Sequence, residues 1–198
     1  MPKPAKTDRV FPAPANARQS HDLVRFWDRV VRGFHWALVL SFAIAWFTSH
    51  SFEDIHHWAG YAAASLVAMR LMWGVVGTPY ARFLQFVRHP AAVLRYLSAM
   101  LKGSEARHIG HNPAGGTMVV VLIAAMGSAA LTGWMMTTDA YFGVSWVEAA
   151  HSLAVHGLLV LVFFHVAGVA MASLRHRENL VRAMITGRKR KAEPADIA

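Results

Sequence analysis

Four stretches of the chain, residues 30–49, 58–77, 117–137 and 147–174, are almost wholly apolar. Each is close to the roughly 20 residues that an α-helix needs to cross about 30 Å of hydrocarbon. Backbone N–H and C=O groups find no water inside a bilayer, so such a segment is stable only as a helix that closes its own hydrogen bonds. Of the 198 residues 55% are hydrophobic and 16% charged, and the apolar ones are gathered in blocks rather than spread at amphipathic spacing. The expected fold class is therefore all-α, an integral membrane four-helix bundle.

The basic residues orient it. Nineteen of the 20 Lys and Arg lie before the first stretch or at its start, between the second and third, or after the fourth. The other two connections hold none, and carry Glu53, Asp54, Asp139 and Glu148 instead. The positive-inside rule then puts both termini in the cytoplasm and the two acidic loops outside, which for a bacterium means a multi-pass protein of the inner membrane. This distribution also accounts for the net charge of +9 without nucleic acid as a partner. Residues 1–24, Pro- and Ala-rich and lacking a signal-peptide core, are expected to be a disordered cytoplasmic tail. Residues 25–187 are expected to form the transmembrane domain and 188–198 a basic flexible tail. The long inner connection contains His89-Pro90 followed by Val93, Leu94, Leu97 and Leu101 beside Arg95 and Lys102, the pattern of a helix lying on the inner surface; residues 178–185 are similar. Anionic lipid is the expected contact of both.

Ionisable side chains inside a bilayer are costly, so the histidines there are the first candidates for function. On the fourth helix His151 and His165 are 14 residues apart, about 40° short of four turns, and so share a face at an axial separation of about 21 Å. His35, just inside the inner end of helix one, matches the depth of His165. His56, at the outer end of helix two, matches His151. Two layers result, His35 with His165 and His56 with His151, each drawn from two helices. That is what bis-imidazole ligation of a haem requires, and it leaves no open iron site, which favours electron transfer over oxygen chemistry. Because the chain has no cysteine, disulfides, iron–sulfur clusters and covalent haem attachment are excluded, and any haem is held non-covalently. A zinc site or metal transporter would gather histidines at one depth, among intramembrane carboxylates that the four helices almost entirely lack.

The remaining candidates are ranked by position. His56 is preferred to His57 because Gly60, at i+4 on nearly the same face, lets a flat macrocycle approach the backbone; His57 and His50 remain outer-side alternatives. His156 points away from the shared face of helix four and is expected to be structural. Arg70 is the single basic residue within a span, on nearly the face of His56 but near the inner side. Either a haem propionate or, by snorkelling, an inner-leaflet phosphate would satisfy it.

At these residues the chain resembles the bacterial cytochrome b561 family, which includes the b-type cytochrome subunit of nickel–iron hydrogenases. The resemblance is carried by Arg32-Gly-Phe-His35-Trp36, His56-x-Trp58-x-Gly60-Tyr61, Arg70-x-x-Trp73-Gly74, Gly77 and Ala81-Arg82-Phe83. It continues through Gly110-His111-Asn112-Pro113-x-Gly115-Gly116, Thr132-Gly133-Trp134, the His151 and His165 pair, Gly168-Val169 and His176-Arg177-Glu178-Asn179-Leu180, and spans about residues 22–188. The resemblance implies two b haems on His35, His56, His151 and His165, with respiratory electron transfer in the plasma membrane. It also implies quinone or quinol as the substrate, and a c-type cytochrome, dehydrogenase or hydrogenase as the redox partner. Superoxide:quinone oxidoreductase activity and service as the membrane anchor of a hydrogenase are the alternatives within the same family.

Overall fold

A computed structural model describes residues 23–25, 28–78, 81–105, 107–108 and 110–190. Most of the expected N- and C-terminal tails (1–22 and 191–198) lies outside the described residues. Four helices are long and apolar enough to cross a membrane: α1 (Arg29–Thr48), α2 (Glu53–Val76), α5 (Pro113–Met136) and α6 (Ser145–Arg175). Between and after them lie α3 (Phe83–Phe86), α4 (Pro90–Lys102) and α7 (Leu180–Thr186). The expected all-α membrane bundle is the observed one.

Two of the spanning helices begin earlier than hydropathy alone indicates, and the residues at their starts explain it. Helix α2 starts at Glu53, with Glu53 and Asp54 in a first turn whose free N–H groups favour acidic side chains. Helix α5 starts at Pro113; Asn112 precedes it, and its side chain accepts from the Gly115 amide at 2.6 Å. At the start of α1 the Asp28 carboxylate accepts from the Val30 amide at 2.7 Å and from the Thr78 hydroxyl at 2.8 Å, tying that end to the exit of α2.

In the bundle α1 packs on α2, α2 on α5 and α5 on α6, while α1 and α6, the ends of the series, are not closely packed on one another. The core sits at mid-depth, where Ala63 and Val67 of α2, Ile123 and Met126 of α5 and Leu158 of α6 meet. Leu158, 1% exposed, is seven residues from both His151 and His165, so the apolar plug lies halfway between the two histidine levels. Elsewhere the helices present Leu40, Phe47, Leu153, Phe163 and Phe164 outward, the apolar surface a bilayer covers.

The inner end is built by close backbone approach. A Cβ on Gly74 would lie 1.9 Å from the Phe83 ring, and one on Gly116 would lie 2.5 Å from the Phe86 carbonyl, so these glycines admit α3 between α2 and α5. Helix α4 anchors through buried Tyr96 while Leu94 and Leu101 stay exposed, the amphipathic arrangement read from the sequence. Arg175 donates to Glu105 at 2.8 Å. Glu178 accepts from Arg107 at 3.1 Å with Lys189 Nζ 4.0 Å away, and Arg32 of α1 donates to the Ile185 carbonyl of α7. Strands β1 (Leu23–Arg25) and β2 (Arg188–Arg190) pair antiparallel, with Val24 opposite Lys189. Of the domain boundaries drawn from the sequence, 24/25 falls inside β1 and 187/188 at the start of β2. The first three residues of the expected flexible C-terminal tail are a paired strand, because α1 and α7 bring the two backbones side by side.

Candidate functional site

The outer level is assembled from α2, α5 and α6. The rings of His56 and His151 face each other edge to plane, with centroids 6.3 Å apart and planes at 84°. Each ring is held from behind. His56 Nδ1 lies 2.8 Å from the Ala45 carbonyl of α1, and His151 Nδ1 lies 3.0 Å from the Ala129 carbonyl and 3.2 Å from the Thr132 hydroxyl of α5. A carbonyl only accepts, so Nδ1 carries the proton in both rings and Nε2 keeps a free lone pair. Gly133 makes this possible on the α5 side, since a Cβ there would sit 3.1 Å from the His151 ring.

At the inner level His35 of α1 stands within electrostatic reach of His165 of α6, across the side of the bundle where those helices are not closely packed. Trp36 abuts the His35 ring edge-on at 5.1 Å, and His35 Nδ1 is buried with no hydrogen-bond partner. Of the two pairs expected from helical spacing, the outer is in ring contact and the inner stands within electrostatic reach.

The other candidates divide clearly. His57 touches the His56 ring but makes no ring contact with His151, and His50 sits in an exposed turn. His156 is exposed, its Nδ1 2.7 Å from its own helix's Ser152 carbonyl and its ring against Trp46, in keeping with a structural role. A Cβ on Gly60 would meet nothing within 4 Å, so the space beside it is open as expected. Arg70 is buried at 7% exposure, donating to the Ala81 carbonyl at 3.1 Å and lying 4.8 Å over the Phe83 ring. It is turned into the protein, which rules out snorkelling to lipid phosphates. On the adjoining inner loop His111 stacks on Phe86 at 4.5 Å. Burial, reinforced by the charges of Arg70 and Lys189, pushes its pKa down to about 4, so it is neutral at ordinary pH. His108 packs against Tyr96.

Three groups at the outer level escaped the sequence reading: the carbonyls of Ala45 and Ala129, and the Thr132 hydroxyl. Every residue has a carbonyl, so composition carries no signal for the first two; Thr132 stood only within the Thr132-Gly133-Trp134 motif.

The donor set fits a haem. His56 and His151 bring two imidazoles from different helices together at 6.3 Å between centroids, each with Nδ1 against a carbonyl and so with Nε2 left to bind a metal. Imidazole is a strong ligand for haem iron, and His35 and His165 supply a second pair of imidazoles at the inner level.

Fold and site define a multi-pass helical membrane protein with imidazoles layered in its interior. Residues 26–187 match the family model Prokaryotic cytochrome b561, and the chain belongs to that family. It is accordingly a membrane b-type cytochrome of electron transfer. No curated protein and no solved structure matches the chain.

Proposed function

We propose that the chain binds two b haems, one between His56 and His151 and one between His35 and His165, and carries electrons between the quinone pool and a redox partner protein. The partner classes are those expected from the sequence: a c-type cytochrome, a dehydrogenase or a hydrogenase. The observation that carries this reading is the outer pair, two imidazoles from different helices 6.3 Å apart with both Nδ1 atoms committed to acceptors. When bound, each haem supplies a one-electron iron couple. The chain's own residues do the rest. The carbonyls of Ala45 and Ala129 fix the tautomer and tilt of the outer rings. The plug around Leu158 keeps water from the space between the levels. Arg70, with guanidinium donors beyond the one given to Ala81, suits a haem propionate. The charge asymmetry of the loops supports an inner-membrane protein with residues 23–25 and 188–190 on the cytoplasmic side. Superoxide oxidation is less well served, because Glu53, Asp54 and Glu148 in the first turns of α2 and α6 and Asp139 in the turn after α5 are all exposed and no Lys or Arg stands among them to draw in an anion.

Haem content and the reduced-minus-oxidised spectrum of the gently purified chain test the proposal. Two haems per chain with a low-spin b-type spectrum are expected. His56→Ala and His35→Ala each leave one haem, whereas His57→Ala leaves two. A preparation without haem, or with zinc in place of iron, overturns it.

A further inference from the structure

The two histidine levels differ in what stands behind their rings. At the outer level both Nδ1 atoms have backbone acceptors, and His151 has a side-chain acceptor as well. At the inner level His35 Nδ1 is buried with none. An acceptor on Nδ1–H pushes electron density toward Nε2, makes the ring a stronger donor to iron and stabilises the oxidised state. The fixed charges act in the same direction. The outer loops carry Glu53, Asp54, Asp139 and Glu148, whereas buried Arg70 lies toward the inner end, and positive charge favours the reduced state there.

Thr132 is the one side chain in this arrangement that substitution can alter without moving the backbone. Its hydroxyl has a single hydrogen, and its shortest contact to an acceptor is 2.7 Å to the Ser128 carbonyl of the preceding turn. With that hydrogen committed, an oxygen lone pair faces His151 Nδ1–H at 3.2 Å.

We infer that Thr132 is a positioning residue for His151 and that, together with the Ala45 and Ala129 carbonyls, it makes the outer haem the lower-potential one of the two. An electron resting on the chain then sits at the inner level. This inference rests on the two-haem reading above, and its test separates the two.

The test is a spectroelectrochemical titration of the full chain in lipid nanodiscs, beside haem quantitation. The wild-type chain titrates in two waves. Thr132→Val keeps the shape of the side chain and removes the acceptor, so the lower wave moves upward while the upper wave stays; Thr132→Ser returns the lower wave toward its wild-type position. Two haems with unmoved waves, a shift of the upper wave, or an equal shift of both overturns the inference while leaving the two-haem reading intact. Absence of haem from the wild-type chain overturns that reading instead. A second comparison stands if Thr132→Val does not retain haem. His35→Leu, keeping the outer level, titrates at the lower wave, and His56→Leu, keeping the inner level, at the upper wave; the opposite order overturns the inference.

Discussion

Gly133→Ala is the smallest change that reaches the outer histidine pair. The added Cβ would lie 3.1 Å from His151 Cε1 and 3.4 Å from Nδ1. Comfortable carbon contacts run to about 3.5–4.0 Å, so the ring must retreat by about 0.5 Å. It is poorly placed to do so, because Nδ1 is tethered at 3.0 Å to Ala129 and at 3.2 Å to Thr132, both on the helix that carries the new methyl. A displacement of about 0.5 Å is the tolerance of a preorganised site, and disturbing the support of a metal-ligating histidine costs about 10–100-fold in affinity. That corresponds to about 1.4–2.8 kcal/mol. The assay is transfer of haem from the purified chain to an excess of a haem-scavenging apoprotein. On the proposed two-haem reading, Gly133→Ala releases one haem about 10–100-fold faster and the other at the wild-type rate, and Gly133→Leu is isolated with one haem. Equal acceleration of both haems, or two haems retained at unchanged rates, refutes His151 as a ligand of one of the two proposed haems.

Three further outcomes are expected. Gly74→Ala drives a methyl into the Phe83 ring at 1.9 Å and displaces the face on which Arg70 rests, destabilising the chain by about 1–3 kcal/mol and lowering the thermal midpoint, as read by tryptophan fluorescence in detergent. His111 is protonated below about pH 6.5 in an unfolded chain but only near pH 4 in the folded one. The stability it preserves at neutral pH is therefore lost as pH falls through that window, with a slope of at most about 1.4 kcal/mol per pH unit. His111→Gln flattens the pH dependence of the midpoint between those values and leaves it unchanged above pH 7. Leu94→Asp with Leu101→Asp lifts α4 from the interface, so that its amides exchange with deuterium faster in lipid nanodiscs while haem content is unaltered.

The spans were legible because hydropathy is a direct statement about solvent: a run of about 20 apolar residues has no other stable home. The helix starts were harder to read. Glu53 and Asn112 are polar residues outside the apolar blocks, yet the helices start beside them, which is what brings His56 inside α2 rather than in the loop before it. The two histidine levels were legible from a spacing of 14 residues on one helix and matching depths on two others. Their different surroundings were not, because the contacts that distinguish them are main-chain carbonyls, or a nitrogen with no partner, and neither has a residue type. Arg70 was recognisable as anomalous, but its placement over Phe83 depends on the close packing of Phe83 on Gly74, which no residue pattern announces. The ribbon was invisible for a related reason. Arg-Lys-Arg has no strand pattern of its own, and β2 forms because β1 is within reach.

That ribbon has a mechanical consequence. Helices α1 and α6 hold the two halves of the inner histidine pair yet are not closely packed on each other, and outside the bilayer they are moored through β1 against β2 and through Arg32 on the Ile185 carbonyl. The inner histidine side of the bundle is thus bridged by a clasp near the chain ends, in addition to the packing of α1 on α2, α2 on α5 and α5 on α6. Unzipping residues 23–25 from 188–190 by proteolysis, or by a fused domain pulling on one strand, slackens the grip of His35 and His165 without altering a single membrane-embedded residue, and leaves the opposite pair undisturbed.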